Sequence, residues 1–234
     1  MKRSASAIAV AALMVGILPF AALAQTPYSQ DFEGMTQTNG ELAADNWLNY
    51  GNVFDPGMNF IYGYGPFAAV NNIGNWQDIA TGQSGPDQGA NVLVVYSDYA
   101  NGNHNDGNWV ESNCYQEEQL PVGASGTWCF QFDAKLGDLG GASTALAFIK
   151  VLNPADWSLS VYETYDTTAI PTTWGTYTIN ADLSGLDGQF LQFGFMSLAT
   201  NYEPCGVFYD NIDFYECSTP VEESSWSSIK ALYR

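Results

Sequence analysis

The sequence predicts an all-β chain: a two-sheet antiparallel β-sandwich of jelly-roll type, followed by a short C-terminal helix. Three observations predict it. Short runs alternate in the two-residue period of a strand and are separated by Gly, Pro, Asn and Asp. No long segment of the central region keeps a helical period, which argues against a parallel α/β sheet. The roughly 190 residues between 25 and 217 carry no internal repeat and fit one sandwich domain.

Taken in order, the chain opens on a basic Met1-Lys2-Arg3 and an apolar stretch from Ile8 to Leu23 that closes in Ala22-Leu23-Ala24. That is the pattern of a secretory signal peptide, so residues 1–24 are expected to be removed and the mature chain to start at Gln25. The apolar run is short for a span, no second run approaches the roughly 20 residues a span needs, and no Cys follows the cleavage point. The protein is therefore expected outside the cell, without membrane insertion once the signal is gone. Strands are expected at Ser29–Glu33, Val92–Tyr96, Trp109–Tyr115, Thr127–Ala134, Ala145–Val151, Trp157–Tyr165, Gly175–Asn180, Gln189–Ser197 and Val207–Tyr215. Trp128, Phe130 and Phe132 fall on one face of their strand, and Phe208, Asp210, Ile212 and Phe214 on one face of the last, where Asp210 interrupts an apolar stripe. Residues 218–223 read as a linker. In the tail that ends at 234, Trp226, Ile229 and Tyr233 recur at helical spacing, with Ser224 or Ser225 placed to cap and Lys230 and Arg234 suited to the C-terminal end.

Charge excludes whole classes of function. The chain has 25 Asp and Glu against 6 Lys and Arg, one His, and a formal net charge of −19. A nucleic-acid backbone and an anionic membrane surface both need a basic footprint that is absent here. The single His104 rules out a multi-His metal site. Loss of Lys2 and Arg3 with the signal leaves 4 basic residues against 25 acidic, or −21. Between Gln25 and Cys217 only Lys135 and Lys150 are basic, so the carboxylates must be solvated, hydrogen-bonded or offset by a cation.

Four Cys in a secreted chain read as two disulfides. If 206–216 is one extended strand, Cys205 and Cys217 lie roughly 40 Å apart, far beyond disulfide reach. If that strand runs antiparallel to Thr127–Ala134, Cys129 meets Cys217, and the expected set is Cys129–Cys217 with Cys114–Cys205.

Several segments, in their order, resemble the calcium-stabilised jelly rolls of carbohydrate-binding modules and related secreted domains. They are Asp31-Phe32-Glu33-Gly34 with Trp47 following, Gln116 to Leu120, Gly126-Thr127-Trp128-Cys129-Phe130-Gln131-Phe132-Asp133-Ala134-Lys135, and Gly206-Val207-Phe208-Tyr209-Asp210-Asn211-Ile212. The resemblance implies a sandwich whose first and last strands meet. It also implies a structural Ca2+ held by Glu33 and Asp210 with backbone carbonyls, an oxygen-rich shell of the kind this ion takes. The tail, Trp226-x-x-Ile229-Lys230-Ala231-Leu232-Tyr233-Arg234, resembles endings of some secreted bacterial surface proteins and suggests a surface partner.

Further candidates come from composition. Residues 97–109 gather Asp98, Asn101, Asn103, Asn105 and Asp106, oxygen donors able to wrap a hard cation through Asp98 and Asp106 or simply to form Asx turns. The region 47–77 is dense in aromatics, and Tyr62, Tyr64 and Trp76 beside Asn71, Asn72 and Gln77 have the composition of a sugar platform, with rings for the C–H faces and amides for the hydroxyls. Acid pairs for glycoside hydrolysis are not evident: Glu117 and Glu118 are adjacent and so face opposite sides of a strand. The expected function is non-catalytic binding of an extracellular glycan. The alternatives are an extracellular structural or surface-assembly protein and, third, a glycan-active enzyme.

Overall fold

The computed structural model describes residues 25–38, 40–71, 75–200 and 202–217. The expected signal segment, the linker and the tail helix fall outside the described residues. The strands are β1 (Tyr28–Gln30), β2 (Leu48–Phe54), β3 (Phe60–Ala68), β4 (Gln77–Thr81), β5 (Asn91–Val95), β6 (Trp109–Gln119), β7 (Thr127–Leu139), β8 (Thr144–Leu152), β9 (Leu159–Asp166), β10 (Gly175–Asp182), β11 (Phe190–Thr200) and β12 (Cys205–Glu216). One turn of helix, α1 (Glu41–Ala44), follows β1.

These strands form two antiparallel sheets. One runs β10-β7-β12-β5-β4, with β1 added to β12; the other runs β3-β2-β6-β11-β8-β9. From β5 onward the chain steps back and forth between the layers, the jelly-roll path. The first and last strands meet as expected, with Gln30 opposite Ile212.

Alternation places the core between the layers. On β7, Trp128, Phe130 and Phe132 turn inward and are buried. On β11, Phe193 and Phe195 do the same from the opposite sheet. Across the gap, Phe195 stacks on Tyr209 with ring centroids 3.6 Å apart, and Phe193 on Phe214 at 4.3 Å and 3°. The buried Tyr209 hydroxyl is satisfied by Thr167 at 3.0 Å.

The last strand departs from the even stripe expected of it. Its pairing with β7 shifts register between Asp210 and Asp213, and Asn211 takes a left-handed φ of 46°. This bulge changes the parity. Val207 and Tyr209 face the core before it, Ile212 and Phe214 after it. Phe208 lies instead on the outer face, beneath the Lys135 ammonium. Asp210 therefore sits in a bulge and does not break an apolar stripe.

Three strands, β2, β3 and β4, lack a clear sequence pattern because β2 is packed on both faces. Its inward positions are Asn49, Gly51 and Val53, while Leu48, Tyr50 and Phe54 join a second apolar cluster on the outside with Tyr115, Phe148, Met196 and Leu198. Gly51 is required: a Cβ there would lie 2.3 Å from the Tyr64 ring.

Cys129 and Cys217 are bonded, their Cα atoms 5.3 Å apart. The second expected pair is corrected: Cys114 and Cys205 are both free and buried. Ser197 donates to the Cys205 carbonyl and stands opposite Ser112, so Cys205 is level with Ser112. Cys114 lies two residues farther along β6, roughly 6.6 Å, in the other layer, and sheets pack about 10 Å apart. The Cys205 thiol instead meets the Tyr99 hydroxyl at 2.8 Å and the Ser97 N–H at 3.0 Å.

This arrangement predicts that a thiol reagent finds no reactive cysteine in the native chain and two after unfolding without reductant. The disulfide closes an 88-residue separation, so Cys129→Ser is expected to lower stability by about 2–5 kcal/mol, read from the denaturant midpoint.

Candidate functional site

The outer face of the second sheet carries a groove of ≈ 660 Å³, within the size of small-ligand sites. Strand parity builds it. The even residues of β6 from Val110 to Gln116 turn inward, so Glu111, Asn113, Tyr115 and Glu117 point outward into the groove. Register then sets rows across the sheet. Glu117 stands opposite Gln192 on β11, Gln192 opposite Lys150 on β8, and Lys150 opposite Tyr162 on β9. On the other side, Asn52 and Tyr50 of β2 stand opposite Glu111 and Asn113.

These side chains are tied to one another. Glu111 Oε1 accepts from Asn52 Nδ2 at 2.7 Å and from Asn113 Nδ2 at 2.8 Å. Asn113 Oδ1 accepts from Lys150 Nζ at 3.0 Å, and Glu117 Oε2 from Gln192 Nε2 at 2.7 Å. Lys150 crosses the Phe148 ring at 4.1 Å to reach Asn113 and lies 5.3 Å from the Tyr162 ring. Desolvation depresses the Lys150 pKa, and Glu111 opposes that shift. Burial raises the Tyr162 hydroxyl, with a smaller contribution from Glu111. Gly194, between Tyr115 and Phe148 in the sheet, has no room for a Cβ, which would fall 2.3 Å from the Cys114 carbonyl.

At the β8–β9 end the groove is aromatic. Trp157 is 64% exposed, yet it is held in place: its ring lies parallel to Phe190 at 5.7 Å and 7°. Its N–H donates to the Asn153 carbonyl at 2.8 Å, and its φ is 60°. A left-handed backbone costs a bulky residue of order 1–3 kcal/mol, and here it presents a flat indole to solvent beside Tyr162 and Leu159.

The sequence-derived platform lies elsewhere. Tyr62 and Tyr64 stand opposite Val53 and Gly51, inward positions of β2, and so face away from the groove. Tyr64 donates to Asp98 Oδ2 at 2.9 Å and meets Trp76 edge-on at 5.4 Å. Tyr62 accepts from Asn103 at 2.8 Å. Asn71 and Gln77 are buried, which corrects their reading as ligand contacts: Asn71 donates to the Thr36 and Thr38 carbonyls, and Gln77 pairs with Asn49. Asn72 lies outside the described residues. The groove left a signal in Glu111-x-Asn113-x-Tyr115-x-Glu117, a polar stripe at strand spacing. It reads as a solvent face until the register of five strands is known.

In the segment 97–109 the expected oxygen donors are engaged within the protein or turned to solvent. Asp98 spends its oxygens on Tyr64 and on the Ala100 N–H, and Asp106 is exposed at the end of a 3-10 turn capped by Asn101. His104 is buried against Tyr99 and Tyr202, with Nε2 on the Ser97 hydroxyl at 3.2 Å. Burial lowers its pKa, keeping it neutral.

Glu33 lies near enough to Asp210 to act on its charge, while its own Oε1 accepts from the Asn91 N–H. Just before the bulge, Asp210 stands directly opposite Asp133, a like-charge pair that costs stability unless compensated. Asp133 is well served by Gln88, Thr176 and Asn211. Asp210 is fully buried and accepts only from the Asn211 N–H, and its Oδ2 has no partner; Gln88, which donates to Asp133, also leaves its buried Oε1 unpartnered. Burial, then Glu33, Asp133 and Asp31, pushes the Asp210 pKa up to about 7. Among the described residues no three His, Cys, Asp or Glu side chains alone form a metal cage. The unpartnered oxygens therefore fit an ion that also takes amide and backbone oxygens, as Ca2+ does.

No family model matches the chain, and no curated protein does. Among solved structures, the chain is similar to the CBM22-1 xylan-binding domain of Xyn10C from Paenibacillus barcinonensis at 14% identity and a TM-score of 0.43, over 85% of this chain and 100% of that one. It is similar to a cyclase from Fischerella sp. TAU at 14% identity and TM-score 0.44, over 81% and 96%. A third is the CBM22-1–GH10 fragment of xylanase 10B from Clostridium thermocellum, complexed with xylohexaose, at 10% identity and TM-score 0.42 over 81% of this chain; the chain spans 28% of that fragment's length. These likenesses carry no argument about ligand or activity.

Trp157→Gly is expected to leave the thermal midpoint unchanged or raised, because glycine adopts φ near 60° without strain and the indole is mostly exposed. Calorimetry of the two chains checks it.

Proposed function

We propose that the chain is an extracellular, non-catalytic glycan-binding module, and that the groove over β2, β6, β11, β8 and β9 is its ligand site. The observation that carries this is Trp157. It is an exposed, ring-supported indole on a strained backbone, at the end of a groove floored by tethered amides and carboxylates. Rings of this kind take the C–H faces of sugars, and the polar row orients the hydroxyls. The secretory signature of residues 1–24 and the disulfide fit an oxidising, extracellular location.

A hydrolytic role is not supported by the groove acids. Glu111 and Glu117 are six residues apart on one strand, roughly 20 Å, whereas acids that flank a glycosidic bond lie about 5–9.5 Å apart. A second reading, a surface-assembly component, draws on β3. This edge strand exposes Phe60, Ile61 and Phe67, and no charged residue lies between Asp55 and Asp78. Affinity electrophoresis of the mature chain in neutral β-glycans tests the first reading. Retardation by at least one polymer, lost in Trp157→Gly, is expected; no retardation by any polymer, with concentration-dependent self-association, assigns the chain to the second.

Ca2+ in the Glu33–Asp210 site would be structural: it would offset the buried carboxylates and brace the first strand against the last. At a hundredfold excess over Kd, calcium contributes about 2.7 kcal/mol, or roughly 5–10 °C for a chain of this size. Asp210→Asn is expected to abolish that rise while leaving the calcium-free midpoint equal or higher, because it removes a buried unpaired charge opposite Asp133. Thermal melts with and without chelator check both arms.

A further inference from the structure

The carboxylates of the groove bear on which sugars it takes. Glu111 engages Asn52 and Asn113 through Oε1, and Glu117 engages Gln192 through Oε2. Among the described residues no side-chain donor meets the second oxygen of either carboxylate. Asn113 has its acceptor filled by Lys150, and its amide nitrogen donates to Glu111 and to the Tyr50 carbonyl. The charged groups that keep a free hydrogen-bonding position on the groove floor are thus two carboxylate acceptors, Glu111 and Glu117, beside tyrosine hydroxyls and the remaining N–H donors of Lys150. The one cation, Lys150, is already committed. It donates to Asn113, lies over the Phe148 and Tyr162 rings, and is offset by Glu111. No Arg occurs between Gln25 and Cys217, and the other lysine, Lys135, lies on the opposite sheet, over Trp174 and Phe208.

We infer that the groove selects glycans that donate hydrogen bonds and carry no carboxylate, neutral or amine-bearing chains, and that Glu111 and Glu117 reject uronate polymers. This rests on the groove being a glycan site. A sugar hydroxyl or ammonium supplies the proton each free carboxylate oxygen lacks. A uronate brings a third negative charge into a partly desolvated site where one committed ammonium cannot offset it, and like charges held close in such a site are strongly unfavourable. The paired acids thereby act as specificity elements through repulsion, which complements the ring contacts that supply affinity.

The test is affinity electrophoresis and calorimetry of the mature chain with β-1,4-glucan, β-1,4-mannan, β-1,4-galactan, xylan, chitosan and polygalacturonate. Whichever hexose polymer binds is then compared with the same polymer oxidised at its primary hydroxyls, and xylan with its glucuronate-substituted form. The expected result is at least about tenfold weaker binding of each carboxylated polymer. Glu117→Gln, which keeps an acceptor for Gln192, should narrow that gap with neutral binding retained. Asp138→Asn, the same charge change on the opposite sheet, should leave it in place. Equal binding of neutral and carboxylated forms overturns the inference and leaves the glycan site standing. An equal effect of Asp138→Asn also overturns it, since the rejection would then come from the net charge. Failure to bind any polymer overturns the glycan site and the inference with it.

Discussion

One irregularity in β12 organises the molecule. Without the bulge at Asp210–Asn211, the residues at 207 and 209 and those at 212 and 214 could not all face the same layer, because a strand alternates strictly. With it, Tyr209 and Phe214 both reach the inner face and stack on Phe195 and Phe193 of the opposite sheet. The irregularity is taken up at Asn211, while Asp210, next to the inward Tyr209, points outward opposite Asp133. Two of the core's ring stacks and a poorly satisfied buried carboxylate therefore flank one irregularity. A cation that settles Asp210 would stabilise the same kink that aligns the two aromatic pairs.

The second sheet is unusual in being apolar on both sides. Its inner face builds the main core. Its outer face buries Tyr115, Phe148, Met196 and Leu198 with no further layer above them among the described residues, and the rings themselves shield one another. The groove lies over and beside that cluster, and this explains its mixed chemistry. Lys150 lays its stem across Phe148 to reach Asn113, and the polar row stays rigid because each member is tied to a neighbour across strands. A site built on sheet positions in this way loses little side-chain entropy on binding. Trp157 is the exception, carried on a turn, and there the Phe190 ring and the Asn153 carbonyl do the holding.

Much of the fold was legible in the chain. Runs such as Trp128 to Phe132 show the strand period plainly because one face is core and the other is not. The pairing of Cys129 with Cys217 followed from running the last strand antiparallel to that one. The region 47–77 was opaque for the opposite reason. β2 buries Asn49 and Gly51 inward and Tyr50 and Phe54 outward, so polarity does not report which face is which. Crowded rings there suggested a ligand platform, but Tyr64 fills the space over Gly51 and buttresses the edge strand. Cys114 and Cys205 are expected to meet because the antiparallel last strand carries Cys205 to the end opposite Cys217; the two-residue offset along β6 and the layer gap keep them apart.

The sequence by itself determined the class of structure and the antiparallel meeting of β7 with β12, since each of these follows from local period or chain geometry. Only the tertiary structure decided the site. Tyr50, Glu117, Lys150, Trp157 and Gln192 come from segments spread over more than a hundred residues, and nothing local marks them as neighbours. Register brings them into rows and parity turns them outward, on a face that no other described strand covers. These are relations between strands, and a single strand's sequence does not carry them.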